Sequence, residues 1–532
     1  MTRHFLSVGG RRVHYRRTGE GPPLVMLHGS PGDGEMLAEE AAAAARRFTC
    51  FVLDTPGFGR SDALPGDVLT VRDLATATAE AMAALRLPPC RIYGTHTGAA
   101  IAVELGAAFP AQVTGVVLDG LPVFTPDETA VLLGGTFAPM IPEPLGGHLT
   151  STWVRFRDQF TWFPWFSRDV ARLNPVDRPT PREIDLWVSM FYRSCRTYGP
   201  AYRAACSYGR GAFEAALTLR APAVFTASAE DMLFPHLDRL PPLREGQEIV
   251  RLAYDPAAKP EAITELAVGL PGDEPAPVRA ASTFAGSDPA KGFVDTADGQ
   301  VFVRTYGRRG QPCAILLHGA PGTGLAMERL ARELAKEAYV VVPDMPGVGE
   351  SDAPAEGRDM IEACRLGVAA VAAALDPRAF VIAGTGCGCA VASAYAAKGD
   401  PRLSAIVLAD VPASSDAPDE VIAPSIDLSP EGAHWMKAWL MIRDNEIYEP
   451  WFDGRVRAQR RTQGEFGADW LHDQTVALMT SRATYHRYAR AAHRFDMQAA
   501  VSKASAPVTR AGDGGLGGAV LAALRLQRTA AA

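Results

Sequence analysis

Short apolar runs alternate along the chain with longer alanine-rich stretches. PLVMLHG (23–29), FVLD (51–54), CRIYG (90–94) and GVVLD (115–119) make one series; AILLHG (314–319), VVVPD (340–344), FVIAG (380–384) and AIVLAD (405–410) make another. Each run is short and largely apolar, which predicts strands. Helical stretches between them predict a mostly parallel sheet covered by helices, an α/β architecture. VHYRRTG (13–19) and VFVRTYG (301–307) add a strand pair before each series. The alternation then breaks at about 122–218 and 412–500, inserts rich in Trp, Phe and Arg that read as helical lids.

The two series are copies of one another. VMLHGSPGDG (25–34) matches ILLHGAPGTG (315–324), VLDTPGFGRSD (52–62) matches VPDMPGVGESD (342–352), and IYGTHTGAAIA (92–102) matches IAGTGCGCAVA (382–392), always 290 positions apart. Within the inserts, His148, Trp153, Arg157, Asp158, Pro164, Trp165 and Phe166 match His434, Trp439, Arg443, Asp444, Pro450, Trp451 and Phe452 at a spacing of 286. Such a period is too long for a solenoid and implies two fused copies of one domain. The Pro-, Ala- and Gly-rich stretch between them reads as a linker. The expected division is domain 1 at 1–270, linker at 271–292 and domain 2 at 293–532.

Composition narrows the function classes. With 532 residues, 47% of them hydrophobic and 21% charged, the chain has ample apolar surface for folded domains. A net charge of −7 and no basic run exclude a typical nucleic-acid binder. No run reaches the ~18–20 apolar residues of a membrane helix. The first residues lack a signal-peptide core, so a cytoplasmic location is expected. The eight cysteines are scattered rather than set in a disulfide framework. No dinucleotide fingerprint, P-loop or zinc spacing occurs, and neither cofactor nor metal is expected.

HGSPG and HGAPG, DTPGFGRSD and DMPGVGESD, and GTHTG and GTGCG occur in that order in each copy. On these motifs both copies resemble α/β-hydrolase fold proteins with a helical cap. The resemblance implies an oxyanion loop at the first motif, with backbone donors at Ser30 and Thr97. It implies a nucleophile elbow, G-x-S-x-G, at the third. There the chain departs from the pattern: the elbow residue is His96 in copy one and Gly386 in copy two. Gly386 cannot attack, Cys387 lies one residue past the turn, and Ala320 stands where copy one has Ser30. Cys387 and Cys389 read as small buried apolar residues. Copy two also lacks sequence for a last strand and its His-bearing loop, leaving Asp513 as a relic acid. Copy two is therefore expected to be degenerate, truncated at its C-terminal end, and non-catalytic.

In copy one, Asp231, followed by Pro235, matches the family's acid loop. No His occurs between His236 and His318, so the usual catalytic His is missing as well. One reading is a site rebuilt around His96 as acid, base or transient nucleophile, oriented by Asp231; the other is a loss-of-function substitution that fits the turn. His28, His318, Asp54, Asp344, Ser61 and Ser351 read as loop-fixing groups. Trp153, Arg157, Asp158 and Trp165, with Trp439, Arg443, Asp444 and Trp451, are candidate substrate-lining residues of the lids, or else the lids' own core. The expected function is cofactor-free hydrolysis, elimination or other proton transfer on a small, fairly apolar molecule; the alternative is a ligand-binding or scaffold pseudoenzyme. Intramolecular pairing of the domains is expected, and a homodimer is open.

Overall fold

The computed structural model describes residues 1–135, 137, 139–174, 176–270, 284, 289–412, 417–460, 463–511 and 515–531. Most of the expected linker, and Asp513, lie outside them. The chain divides into two compact units, Met1–Ile141 with Ser151–Ala285 and Pro142–Thr150 with Gly286–Ala532.

The first unit is built on eight strands: β1 Thr2–Val8, β2 Arg11–Thr18, β3 Pro23–Leu27, β4 Thr49–Leu53, β5 Cys90–Thr95, β6 Val113–Asp119, β7 Ala223–Ser228 and β8 Gln247–Leu252. Their order in the sheet is β1-β2-β4-β3-β5-β6-β7-β8. β1, β2 and β4 pair antiparallel, and every later pair is parallel. Every residue of β3, β4 and β5 is buried, Arg91 of β5 included, because helices cover both faces. One such face packs Leu24, Met26, Val52, Tyr93, Val117 and Val224 beneath Leu37, Phe48 and Ile263.

The second unit repeats the plan with β9 Ala290–Thr296, β10 Gly299–Tyr306, β11 Cys313–Leu317, β12 Tyr339–Pro343, β13 Phe380–Thr385, β14 Leu403–Ala409 and β15 Val508–Arg510. Read from β9, the order is β9-β10-β12-β11-β13-β14-β15, that of the first sheet through β7. Among the described residues nothing corresponds to β8, and the three residues of β15 are exposed.

The inserts are helical, as expected. Between β6 and β7 lie helices Pro126–Leu133, Gly147–Thr161, Pro181–Ser194, Gly199–Cys206 and Gly209–Thr218. Two begin at reciprocal caps, in which Thr125 and Thr180 accept from the N–H groups of Glu128 and Glu183 and those carboxylates accept in return. Ala433–Asn445, Ala468–Thr480 and Tyr485–Arg494 are the main helices between β14 and β15. No described helix is long and apolar enough to cross a membrane.

Candidate active site

In an open α/β sheet the ligand crevice lies beyond the carboxyl ends of the strands, where strand order reverses. In the first unit that reversal is the β4-β3-β5 neighbourhood. β3 runs into His28–Ser30, β5 into His96, β6 into Gly120 and β7 into Asp231, so one edge of the sheet gathers all four.

His96 forms the turn between β5 and the helix Thr97–Ala108, with φ +51° and ψ −110°. A non-glycine residue with positive φ is uncommon, and one at a strand-to-helix turn stands clear of the sheet. The turn is held because the His96 N–H donates to the Asp119 carbonyl at 2.9 Å and Ala100 donates back to the His96 carbonyl at 3.0 Å. The flanking glycines are steric necessities. A Cβ on Gly94 would collide with the Gly98 carbonyl, and one on Gly98 with the Leu27 carbonyl.

The imidazole has a partner. His96 Nε2 lies 2.7 Å from Asp231 Oδ2, with side-chain exposures of 31% and 9%. Asp231 Oδ1 accepts the Leu233 N–H at 2.8 Å, which fixes the carboxylate. Burial raises the Asp231 carboxyl, but His96, its hydrogen bond and Leu233 outweigh that and hold it down to about 2. Burial also disfavours the imidazolium, yet the Asp231 carboxylate brings the His96 pKa above its ordinary value. An ionised carboxylate only accepts, so the proton sits on Nε2 and Nδ1 keeps the free lone pair.

Two residues not singled out in the sequence support this pair. Gly120 has φ +62°, and a Cβ there would stand 2.6 Å from His96 Cδ2 and 3.1 Å from Asp231 Oδ2. Only glycine leaves room for the ring against the carboxylate. Lys259, after β8, places Nζ 3.0 Å from Asp119 Oδ2, which also accepts from the Tyr93 hydroxyl at 3.0 Å. Burial opposes the charge on Lys259, but Asp119 and then Asp231 push its pKa up to about 12. The Asp-Gly pair at the end of β6 is legible in the sequence only as a strand end, and Lys259 as one lysine in an Ala- and Pro-rich stretch.

Ser30 and Thr97 line the cavity over His96, and neither N–H donates to a backbone acceptor among the described residues. That cavity, about 250 Å3, is walled by Phe124, Phe160, Phe163, Trp165, Trp187 and Tyr202. Of the four lid candidates in this copy, only Trp165 lines it. Trp153 is 2% exposed and belongs to the core, as a large apolar face inside a lid requires. Arg157 is exposed on the helix, and Asp158 is taken by Arg168 at 2.7 Å.

The second unit keeps the elbow without its side chain. Gly386 has φ +53°, and its N–H donates to Ala409 at 3.2 Å, the counterpart of the bond His96 makes to Asp119. Ala320, Gly386 and Cys387 line a cavity of about 580 Å3 with Asp410, Glu449 and Arg460. Burial pushes the Cys387 thiol up to about 12, despite a hydrogen bond from the Ala320 backbone. Cys389 is likewise buried, its thiol donating to Ala409 at 3.1 Å. Of the lid candidates here, only Trp451 reaches the cavity. Trp439 is 1% exposed, Arg443 lies over the Phe466 ring at 5.2 Å, and Asp444 accepts the Ile447 and Tyr448 N–H groups through its backbone.

The loop groups act as fasteners in both units. His28 Nδ1 lies 2.9 Å from the Gly29 carbonyl while Nε2 accepts from Thr55, and His318 does the same with Gly319 and Met345. Asp54 holds Arg16 and the Gly34 N–H, Asp344 holds Arg304 and the Gly324 N–H, and Ser61 and Ser351 donate to the carbonyls of these aspartates. Among the described residues no cluster of three His, Cys, Asp or Glu is placed to hold a metal.

The chain belongs to the alpha/beta hydrolase fold family, whose model matches residues 22–246 and 315–447. It is 38% identical over 112 residues to a pimeloyl-[acyl-carrier protein] methyl ester esterase of Chromobacterium violaceum, covering 21% of this chain and 42% of that protein. It is 32% identical over 117 residues to a pyrrolizixenacetamide deacetylase of Xenorhabdus hominickii, covering 22% and 43%. The chain thus spans less than half the length of these curated relatives. Among solved structures, epoxide hydrolase A from Mycobacterium thermoresistibile aligns with 51% of this chain and 99% of its own at 18% identity and a TM-score of 0.40.

Proposed function

We propose that the first unit is a cofactor-independent enzyme in which His96 acts as a general base on a small, largely apolar carbonyl compound. The observation that carries this reading is the 2.7 Å pair of His96 Nε2 with Asp231 on a strained elbow facing an apolar cavity. In this reading Nδ1 takes a proton from water as the water oxygen bonds to the substrate carbonyl carbon. Negative charge develops on the carbonyl oxygen, toward the N–H groups of Ser30 and Thr97. Asp231 stabilises the imidazolium. The carbon–leaving-group bond then breaks, and His96 returns its proton to the leaving oxygen or nitrogen. The curated relatives named above are an esterase and a deacetylase, which suits hydrolysis at a carbonyl.

The second unit, in this proposal, is non-catalytic and retained for binding or for support of the first. A side-chain-free elbow under a cavity of about 580 Å3 favours that role. Turnover of a panel of small esters, amides and lactones by wild type, His96→Ala and Asp231→Asn tests the proposal. Activity that falls in His96→Ala and less in Asp231→Asn supports it. Equal activity in all three, or inertness of wild type across the panel, overturns it.

A further inference from the structure

The cavity over His96 is apolar except at a few atoms, and three of those are orphaned. Ser30 Oγ, Trp165 Nε1 and Glu230 Oε2 are each buried without a hydrogen-bond partner, and all three residues line the cavity. Folded proteins leave few buried polar atoms unpaired, and each one asks for an explanation.

The second unit sharpens the point. Its counterpart of Trp165, Trp451, donates its indole N–H to the Ile422 carbonyl at 3.2 Å. Its counterpart of Ser30 is Ala320, which has no hydroxyl. Two of the three orphans therefore exist only in the unit that carries His96.

We propose that Trp165, Ser30 and Glu230 form a polar subsite that selects uncharged carbonyl compounds also bearing a hydroxyl or amide N–H. The proposal rests on this cavity being the site in which His96 works. An indole N–H only donates, a hydroxyl donates and accepts, and a carboxylate only accepts. A ligand satisfying all three presents an acceptor to Trp165 and Ser30 and a donor to Glu230. Glu230 and Asp231 also line the cavity, with His96 as its one basic side chain, so the field disfavours anions. A volume of about 250 Å3, below the roughly 300–1,000 Å3 of common ligand pockets, limits the ligand to a single small ring or its equivalent.

Unreactive ketones separate binding from turnover. Calorimetry on the full chain would compare acetophenone, para-hydroxyacetophenone and para-hydroxybenzoate. The hydroxyketone is expected to bind about ten-fold tighter than acetophenone, and the anion weakest. Trp165→Phe, which keeps an apolar ring, is expected to weaken both ketones about five- to ten-fold, and Glu230→Gln to narrow the gap between them. In the wild-type chain, the Trp165 indole N–H resonance, assigned by its loss in Trp165→Phe, is expected to shift when acetophenone is added. Ketones that bind without preference, an unmoved indole signal, or tightest binding of the anion overturns the subsite. Ketone binding that survives His96→Ala, in a protein that turns over no ester, leaves the subsite standing and sinks the catalytic reading. His96-dependent turnover without any ketone binding does the reverse.

Discussion

The two elbows share a backbone and differ in what the backbone carries. Both turn at a residue with positive φ, both hang from a carbonyl of the neighbouring strand, and both lie under a cavity. In the first, an imidazole paired to a carboxylate stands over a glycine, and the N–H groups of the oxyanion loop and the elbow are open. In the second, the elbow is a glycine, the position under it is Asp410 at φ +46°, and a buried cysteine, Cys387, follows the elbow. The fold therefore keeps the same turn whether or not a side chain stands on it, because the turn is held by strand and helix pairing.

Erasing the difference tests it most severely. His96→Gly makes the first elbow resemble the second. It is expected to reduce kcat/KM by about 10²–10⁴-fold, the scale of positioned proton transfer. Positive φ suits glycine better than histidine, but the buried Asp231 loses its partner, so the thermal midpoint should fall most between pH 3.8 and 6.5. The reciprocal Gly386→His is expected to give no esterase activity, because Asp410 carries a Cβ at the position where Gly120 leaves room for the ring. Ester turnover by a Gly386→His, His96→Gly double variant would break the comparison.

Gly120→Ala comes next. Its Cβ would lie 2.6 Å from the imidazole, so the ring must leave Asp231. Activity should fall toward that of His96→Gly, with a stability loss of about 1–2 kcal/mol from the left-handed backbone. Retained activity would mean that the pair is not what matters.

Asp231→Asn is expected to cost activity less and to move its pH dependence more. The His96 pKa lies above its ordinary 6.5, so kcat/KM in wild type should rise with pH through a midpoint above 6.5. Without the carboxylate that midpoint should drop. Stability follows the same pair. The contribution of His96 is complete below 6.5 and is lost as pH rises through its elevated folded value. That of Asp231 is present above 3.8 and is lost as pH falls toward about 2. Urea unfolding of wild type and Asp231→Asn should therefore differ most between 3.8 and 6.5, by at most about 3 kcal/mol. The smallest effect is expected of Lys259→Met. Its ammonium lowers both pKa values of the pair, so removing it should raise the activity midpoint slightly.

Much of the fold and part of the site are legible in the amino-acid sequence alone. Apolar runs such as PLVML locate the buried strands, because a strand covered on both faces has no polar positions to blur it. The elbow and acid loop are found through glycine and proline spacing, which backbone geometry dictates. The lids are harder to read. Trp153 and Trp439 are of a residue type that suits a pocket wall, yet they are buried in the core. Whether an aromatic faces a cavity depends on how the helix is rotated, and the insert's pattern does not fix that rotation. Gly120 and Lys259 leave still less trace, since their importance is a distance to His96, Asp231 or Asp119, and distance across a sheet has no local signature.

The left-handed turn at Gly386 also bears on what a side chain there would need. A side chain at 386 must adopt positive φ beside Asp410, which itself has positive φ, while trimming Asp410 to glycine removes its ion pair with Arg460 at 3.6 Å. A side chain at 386 would therefore call for a second change at 410, so the two positions are coupled through the turn they share.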